Sequence, residues 1–348
     1  MIVHVASGRE WRGGQHQVLL LAAGLHDAGV PTVVITGTAT TLAARLRDAG
    51  VAVEEVGWRI GLDPRVAIRL LRLVRPDTII HAHDNHAFAL ADAVTRIRRR
   101  PLVVTRRVIF PIHSPRRFRR AAAVIAISNA VRAEVARAGV LSDRIHLIPD
   151  AIDPAGIPDH FEDAGDEGGP VIACVAALEA EKGIDTLLDA AAIVRTIHPL
   201  VRWRIVGDGS ERAALEAHRD RLDLAGLVEF TPPRAAYEAF AGAALAVQPS
   251  RSEGLGSAAL QALACGVPLI VSDAGGLPDT VALGGGVIVP RDAPAELARV
   301  IDELLQAPEV LARLAAEGRA AARHFTVEQL VERTRRVYRS VASTRDGA

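Results

Sequence analysis

One lysine stands among the 41 basic residues of this 348-residue chain, at position 182. Arginine can replace lysine at most solvated sites, but not where a compact, flexible ammonium is wanted. Lys182 lies in Ala177-Leu178-Glu179-Ala180-Glu181-Lys182-Gly183, between a β-branched run at 171–176 and an amphipathic stretch at 184–194. Turns from strand to helix are where α/β proteins hold phosphates, because the first N–H groups of a helix lack internal partners. The competing reading is chance survival on a surface turn. An acid occupies a comparable turn in Pro249-Ser250-Arg251-Ser252-Glu253-Gly254-Leu255-Gly256-Ser257. Glycines there let backbone approach a ligand, and an anionic Glu253 suits hydroxyl donors better than phosphate. Gly207-Asp208-Gly209 and Ser272-Asp273-Ala274-Gly275-Gly276 are two more glycine turns after strands, each nonspecific alone.

Histidine and arginine form the other polar clusters. Ile80-His81-Ala82-His83-Asp84 closes a β-branched run, and His86 follows. Two residues apart on a strand, His81 and His83 point to one face. A two-histidine metal site, a strand-end sugar contact and a hydrogen-bonded histidine pair all fit that spacing. From Arg96 to Arg120 the chain carries ten arginines and no acid, although its net charge is zero. The stretch reads as a solvated basic face, as a contact for an anionic membrane or phosphorylated acceptor, or as a nucleic-acid surface. Nucleic acid ranks last, since only Phe110 and Phe118 are at hand for stacking. Cys174 and Cys265 lie among apolar residues without metal or redox spacing, so buried free thiols are expected.

These residues need a scaffold, and the pattern around them supplies one. Hydrophobic residues make up 49% of the chain but aromatics only 3%, which suits helices packed on parallel Val- and Ile-rich strands. Short β-branched runs begin near 2, 32, 52, 78, 102, 123 and 145, with amphipathic stretches between most of them. The acidic, Gly-rich segment 159–170 interrupts the alternation, which restarts near 171, 202, 227, 245, 269 and 286 before three closing helices. Two Rossmann-like lobes follow, 1–160 and 171–325, with a linker at 161–170 and a last segment at 326–348. A ligand should lie between them, at the carboxyl ends of the strands. No apolar run reaches a membrane span. The start of the chain lacks a signal-peptide layout, and the expected compartment is the cytoplasm, with peripheral contact at the inner membrane face through Arg96–Arg120.

The run Ser250 to Asp279, with Lys182-Gly183 and Gly207-Asp208-Gly209 ahead of it, resembles the donor lobe of the retaining GT-B glycosyltransferases, specifically glycosyltransferase family 4. Gly13-Gly14 after the first strand, the His81–Asp84 strand end, and Ile148-Pro149-Asp150-Ala151-Ile152-Asp153 match the first lobe of that fold. The segment from Phe325 to Tyr338 resembles the helix that crosses back to that lobe. The resemblance implies that Lys182 neutralises a donor diphosphate and Glu253 holds hydroxyls of the donor sugar. It implies that the N–H groups of Leu255, Gly256 and Ser257 face the phosphates or the sugar. Gln261 stands where a ribose-binding glutamate is usual, Gly207, Gly209, Gly275 and Gly276 line the donor side, and Gly13 and Gly14 close on the diphosphate. His83, Asp84, Arg106 and Arg107 are the implied acceptor or sugar contacts. No metal and no cofactor are implied; cationic groups and helix ends offset the phosphate charge instead.

Four positions depart from the family pattern, the first being His16, which stands where an acid is common after the Gly-Gly pair. Ala177 replaces the usual arginine partner of the lysine, Gln261 is neutral, and Arg106 or Arg107 stands where a histidine is frequent. The expected activity is a metal-independent, retaining transfer of a sugar from a nucleotide-diphosphate donor to a hydroxyl acceptor. A cell-envelope glycan, a lipid or a lipopolysaccharide intermediate is the expected acceptor class. The alternatives are a lobe pair that binds a nucleotide or phosphorylated ligand without turnover, and a nucleotide-sugar epimerase. A nicotinamide dehydrogenase is disfavoured, because no Gly-x-Gly-x-x-Gly follows the first strand.

Overall fold

The computed structural model describes residues 1–58, 63–153, 157 and 169–346. The expected linker therefore lies, except for Gly169 and Pro170, outside the described residues. The chain forms two compact units, Met1–Ala151 with Val327–Ala348, and Ile152–Thr326.

Seven strands build the sheet of the first unit: β1 (Ile2–Val5), β2 (Thr32–Gly37), β3 (Ala52–Val56), β4 (Ile79–Ala82), β5 (Leu102–Arg106), β6 (Ala123–Ala126) and β7 (Ile145–Leu147). All pair in parallel, in the order β3-β2-β1-β4-β5-β6-β7. Every residue of β1, β4 and β6 is buried, as strands covered on both faces must be. Helices α1 (Gly13–Asp27), α2 (Thr41–Asp48), α3 (Pro64–Leu73), α4 (Asn85–Arg98), α5 (Pro115–Arg120) and α6 (Asn129–Arg137) connect them. Four of these helices start where a short polar side chain accepts a first-turn N–H: Thr40, Asp63, Asp84 and Ser128.

The second unit repeats the plan with β8 (Val171–Val175), β9 (Arg202–Val206), β10 (Val228–Thr231), β11 (Ala243–Gln248), β12 (Leu269–Ser272) and β13 (Gly286–Val289). Its parallel order is β10-β9-β8-β11-β12-β13. Helices α7 (Ile184–Ile197), α8 (Arg212–Arg221), α9 (Ala236–Phe240), α10 (Ser257–Ala264), α11 (Leu277–Val281), α12 (Pro294–Leu305) and α13 (Pro308–Ala322) cover it. Cys174 and Cys265 are buried free thiols, and burial pushes both up to about 12.

The last helix, α14 (Val327–Asp346), belongs to the first unit. Its Leu330, Val331, Tyr338 and Val341 pack with Leu21, Leu25, Ile79 and Val103. The crossing-back expected of the closing segment is thus present. No described helix is long and apolar enough to span a membrane.

Two local features differ from expectation. Helix α1 begins at Gly13, ahead of its first buried apolar residue, Val18, because the N–H groups of Gln15 and His16 bond to the Arg12 carbonyl. Glycine disfavours helix in isolation, so its presence argued for a loop. The short helices α5, α6 and α9 carry little sequence signal; α5 has a single apolar anchor, Phe118, too few for a periodic pattern.

Candidate active site

In the second unit the strand order reverses between β8 and β11. Turns leaving the carboxyl ends of two such strands diverge and leave a crevice between them. The turn after β8 ends in a 3-10 turn, Ala180–Lys182, and the turn after β11 carries Glu253. Lys182 Nζ donates to Glu253 Oε2 at 2.7 Å, and the two side chains are 19% and 18% exposed. The chain thus brings its only lysine and the loop carboxylate together, 71 residues apart in sequence.

Glycine makes this approach feasible. Gly183 has φ +65°, and a Cβ there would sit 2.2 Å from the Pro249 carbonyl oxygen. Any side chain would push the lysine turn off the glutamate turn. Gly256, at φ +98°, caps α10, and its Cβ would meet Leu277 at 2.6 Å. Leu255, Gly256 and Ser257 therefore lead straight into the first turn of α10, whose N–H groups have no acceptor within the helix. Gly276 N donates to the Glu253 carbonyl at 3.0 Å, so the Gly275-Gly276 turn joins the same cluster. Gln261 lies one turn into α10, half-buried, and its side chain makes no hydrogen bond among the described residues.

Gly207 and Gly209 hold two neighbouring turns together. A Cβ on Gly209 would meet the Leu178 carbonyl at 2.3 Å, and Leu178 N donates to the Asp208 carbonyl at 3.0 Å. Ala177, where an arginine would be usual, sits just before that contact. Arg251 went unread as a functional residue. Its guanidinium donates to the Ala180 carbonyl, Asp185, Thr186 and Asp292. The signal was its place two residues before Glu253 in a loop otherwise made of small residues.

The corresponding reversal in the first unit lies between β1 and β4. His4 and His81 are register partners there, which explains a cluster the spacing alone did not reveal. His4, His81 and His83 can each offer an atom within 4.8 Å of the others; His4 takes the place expected of His86. His83 Nδ1 faces the Arg107 guanidinium at 3.4 Å. A guanidinium only donates, so Nδ1 accepts and Nε2 carries the proton. That Nε2 is 2.8 Å from His4 Nδ1, which puts the second proton on His4 Nε2, buried and without a partner among the described residues. His81 bonds Tyr338 Oη at 2.6 Å and Thr105 Oγ1 at 2.7 Å. Burial, then the Arg107 charge, lowers His4 to about 3. Burial, then the neighbouring imidazoles and Arg107, holds His81 and His83 well below the usual histidine range. Both nitrogens of His81 and of His83 are already bonded, and Arg107 opposes a dication, so the trio fits a neutral hydrogen-bonded core better than a metal.

The four expected acceptor-side residues all have partners within the first unit. His83 is 7% exposed and turned toward His4. Asp84 has its oxygens occupied: it accepts from Ser7 N, Ser7 Oγ and Ala87 N at 2.6, 2.5 and 2.9 Å, clamping the turn after β1 to the start of α4. Arg106 is 5% exposed; it donates to the Phe110 carbonyl and lies over the Phe118 ring at 5.5 Å. Its planar cation is absorbed by an aromatic neighbour inside its own unit. Arg107 instead reaches the head of α1: a Cβ on Gly14 would be 3.9 Å from its Cδ, while its Nε donates to Asp150 at 3.1 Å. Gly13 and Gly14 form the first turn of α1 beside it. In the arginine stretch, Arg96, Arg98, Arg99, Arg116, Arg119 and Arg120 are exposed, whereas Arg106 faces inward.

Comparison with known proteins gives one direction. The family model "Glycosyl transferases group 1" matches residues 157–321, and "Glycosyltransferase Family 4" matches 11–155. A D-inositol 3-phosphate glycosyltransferase of Segniliparus rotundus is 35% identical over 191 residues, 53% of this chain and 42% of that protein. A GDP-mannose-dependent monoacylated alpha-(1-6)-phosphatidylinositol monomannoside mannosyltransferase of Corynebacterium glutamicum is 35% identical over 162 residues, 43% of this chain and 42% of its own. The match thus spans about two fifths of the length of either curated relative. The crystal structure of Anabaena HepE in complex with UDP shares the fold, with a TM-score of 0.84 over 97% of this chain and 99% of that one at 22% identity.

Proposed function

This chain belongs to glycosyltransferase family 4, and from that premise we propose that it transfers a sugar from a nucleoside diphosphate donor to a hydroxyl acceptor, with retention of configuration. The observation that carries the reading is the Lys182–Glu253 pair, 2.7 Å apart beside the glycine-led start of α10. An incoming diphosphate competes for the ammonium. Lys182 then offsets the charge that grows on the leaving phosphate, and the first-turn N–H groups of α10 add partial positive charge. Glu253, released from the lysine, accepts hydrogen bonds from sugar hydroxyls. Gln261 offers the ribose one acceptor and one donor without charge assistance. In a front-face reaction the departing phosphate oxygen takes the acceptor proton, so no separate base is assigned. The same cationic groups do the work a metal would otherwise do, and the reaction is proposed to need none.

UDP and GDP sugars are the donors to try first, since HepE is bound to UDP and the Corynebacterium relative uses GDP-mannose. A phosphorylated acceptor agrees with the name of the Segniliparus relative and a lipid-linked one with that of the Corynebacterium relative. It also agrees with the exposed arginines of α4 and α5, next to Ile97 and Phe110 at 69% and 54% exposure; each such cation near an anionic membrane contributes ~1 kcal/mol. Lys182→Ala and Glu253→Ala test the enzymatic reading, with donor hydrolysis or transfer as the assay. Each lost charge-assisted contact should cost ~1.5–3 kcal/mol, and wild-type rates in both variants would refute the site. Ala177 and the neutral Gln261 favour a second reading, nucleotide binding without turnover. Calorimetric binding of UDP or GDP with no product from any sugar nucleotide would select it.

A further inference from the structure

We propose that Arg251 is the positioning residue that sets the separation of Lys182 from Glu253. The inference rests on reading that pair as the donor centre. Arg251 stands two residues before Glu253, yet its contacts bracket Lys182 from both sides. Its own N–H and that of Ser252 donate to the Glu181 carbonyl at 2.8 and 3.3 Å. Its guanidinium donates to the Ala180 carbonyl at 2.8 Å, before the lysine. After the lysine it reaches Asp185 Oδ2 at 2.8 Å and Thr186 Oγ1 at 3.2 Å, at the start of α7. Nε donates to Asp292 Oδ1 at 2.5 Å, in the turn after β13. Arg291 in that turn donates back to the Arg251 carbonyl at 3.4 Å.

Three separate segments therefore converge on one planar cation. Taken singly, half-exposed ion pairs of this kind contribute little stability. Their joint effect is geometric: the lysine turn and the glutamate turn cannot slide past each other without breaking several bonds at once. A fork of five donors can serve four acceptors in fixed directions; an ammonium at the same place has three donors, all on one atom. No hydrogen bond joins Arg251 to the side chain of Lys182 or Glu253 among the described residues, so it acts through their backbones. It also lies outside the buried core of this unit, which is built around residues such as Leu187, Trp203 and Ile301.

The lone lysine makes the test direct. Full-length protein grown with lysine labelled at Nζ alone gives a single side-chain NMR signal, that of Lys182. Glu253→Gln marks where the signal lies when the pair is broken. Arg251→Ala should carry the signal at least half of the way to that mark, and Arg251→Lys should fail to restore it, with the unfolding midpoint changed by a few degrees at most. Misplacing an active-site group by about 1 Å can cost on the order of 100-fold in rate, so donor hydrolysis or transfer should fall ~10–100-fold in both variants. A Lys182 signal in Arg251→Ala that coincides with wild type overturns the proposal. If that variant does not fold, Asp292→Asn removes one anchor and keeps the guanidinium; it should shift the signal part of the way, and an unmoved signal again overturns the idea. Should the signal move while neither nucleotide binds even the wild type, the positioning role stands and the donor-centre reading fails.

Discussion

Neutralising the two members of the central pair should move nucleotide affinity in opposite directions. Lys182 Nζ and Glu253 Oε2 are 2.7 Å apart, and each side chain is about one fifth exposed. A diphosphate reaching the ammonium gains a charge-assisted bond of ~1.5–3 kcal/mol. Lys182→Ala should therefore weaken UDP or GDP binding ~10–150-fold, at about 1.4 kcal/mol per tenfold. Glu253→Gln removes an anion that lies beside the phosphates and competes for the same cation. Two unit charges about 6 Å apart at an effective dielectric near 40–80 interact by roughly 1 kcal/mol. UDP should then bind the glutamine variant ~3–10-fold more tightly, even as transfer of the sugar falls because a hydroxyl acceptor is lost. Calorimetry with UDP, UMP and uridine, and with the guanosine series, reads both effects. Uridine carries no phosphate and should respond to neither substitution. Equal weakening of UDP by both variants, or an unchanged affinity in Lys182→Ala, would refute the electrostatic account.

Three further outcomes follow from the first unit. Tyr338→Phe removes the hydroxyl 2.6 Å from His81 Nδ1 and leaves a buried polar nitrogen unpaired, which should cost ~1–3 kcal/mol in chemical unfolding; an unchanged midpoint would exclude that bond. The histidine core sets an acid limb. Burial holds His4 at about 3, below its unfolded value of 6.5, so the unfolded chain binds the proton first as pH falls. Stability from this group is complete above about pH 6.5 and declines from there toward pH 3, at up to ~1.4 kcal/mol per pH unit for each such histidine. His4→Gln should flatten that limb in thermal melts between pH 4 and 7. Finally, Arg116→Ala with Arg119→Ala should reduce sedimentation with phosphatidylglycerol vesicles at low salt and leave it unchanged with neutral phosphatidylcholine vesicles.

Alternating β-branched and amphipathic runs made every strand of both sheets legible; in the central strands, buried on two faces, there is little choice of residue. The return of the closing helix was readable from family resemblance, and the packing of Tyr338 and Val331 onto the first unit gives the reason for it. Lys182 and Glu253 were readable because one is unique in its chemistry and the other sits in a loop too small to bury it. Less was legible where a residue's meaning depends on a neighbour far along the chain. Arg106 and Arg107 are adjacent in sequence, yet one is folded under Phe118 and the other meets Gly14 and Asp150. Asp84, an expected sugar contact, also clamps Ser7, which lies 77 residues away in sequence.

Local pattern, then, determined which segments are strands, which are the longer helices, and which turns carry a cation, an acid or a glycine, since hydrophobic period and backbone freedom are properties of adjacent residues. Tertiary structure alone decided that His4 completes the histidine trio, that Arg251 grips both sides of the lysine turn, and that the ammonium and carboxylate meet. Those contacts depend on strand order and register, which place β1 beside β4 and β8 beside β11, and no spacing along a single chain encodes which strand ends become neighbours.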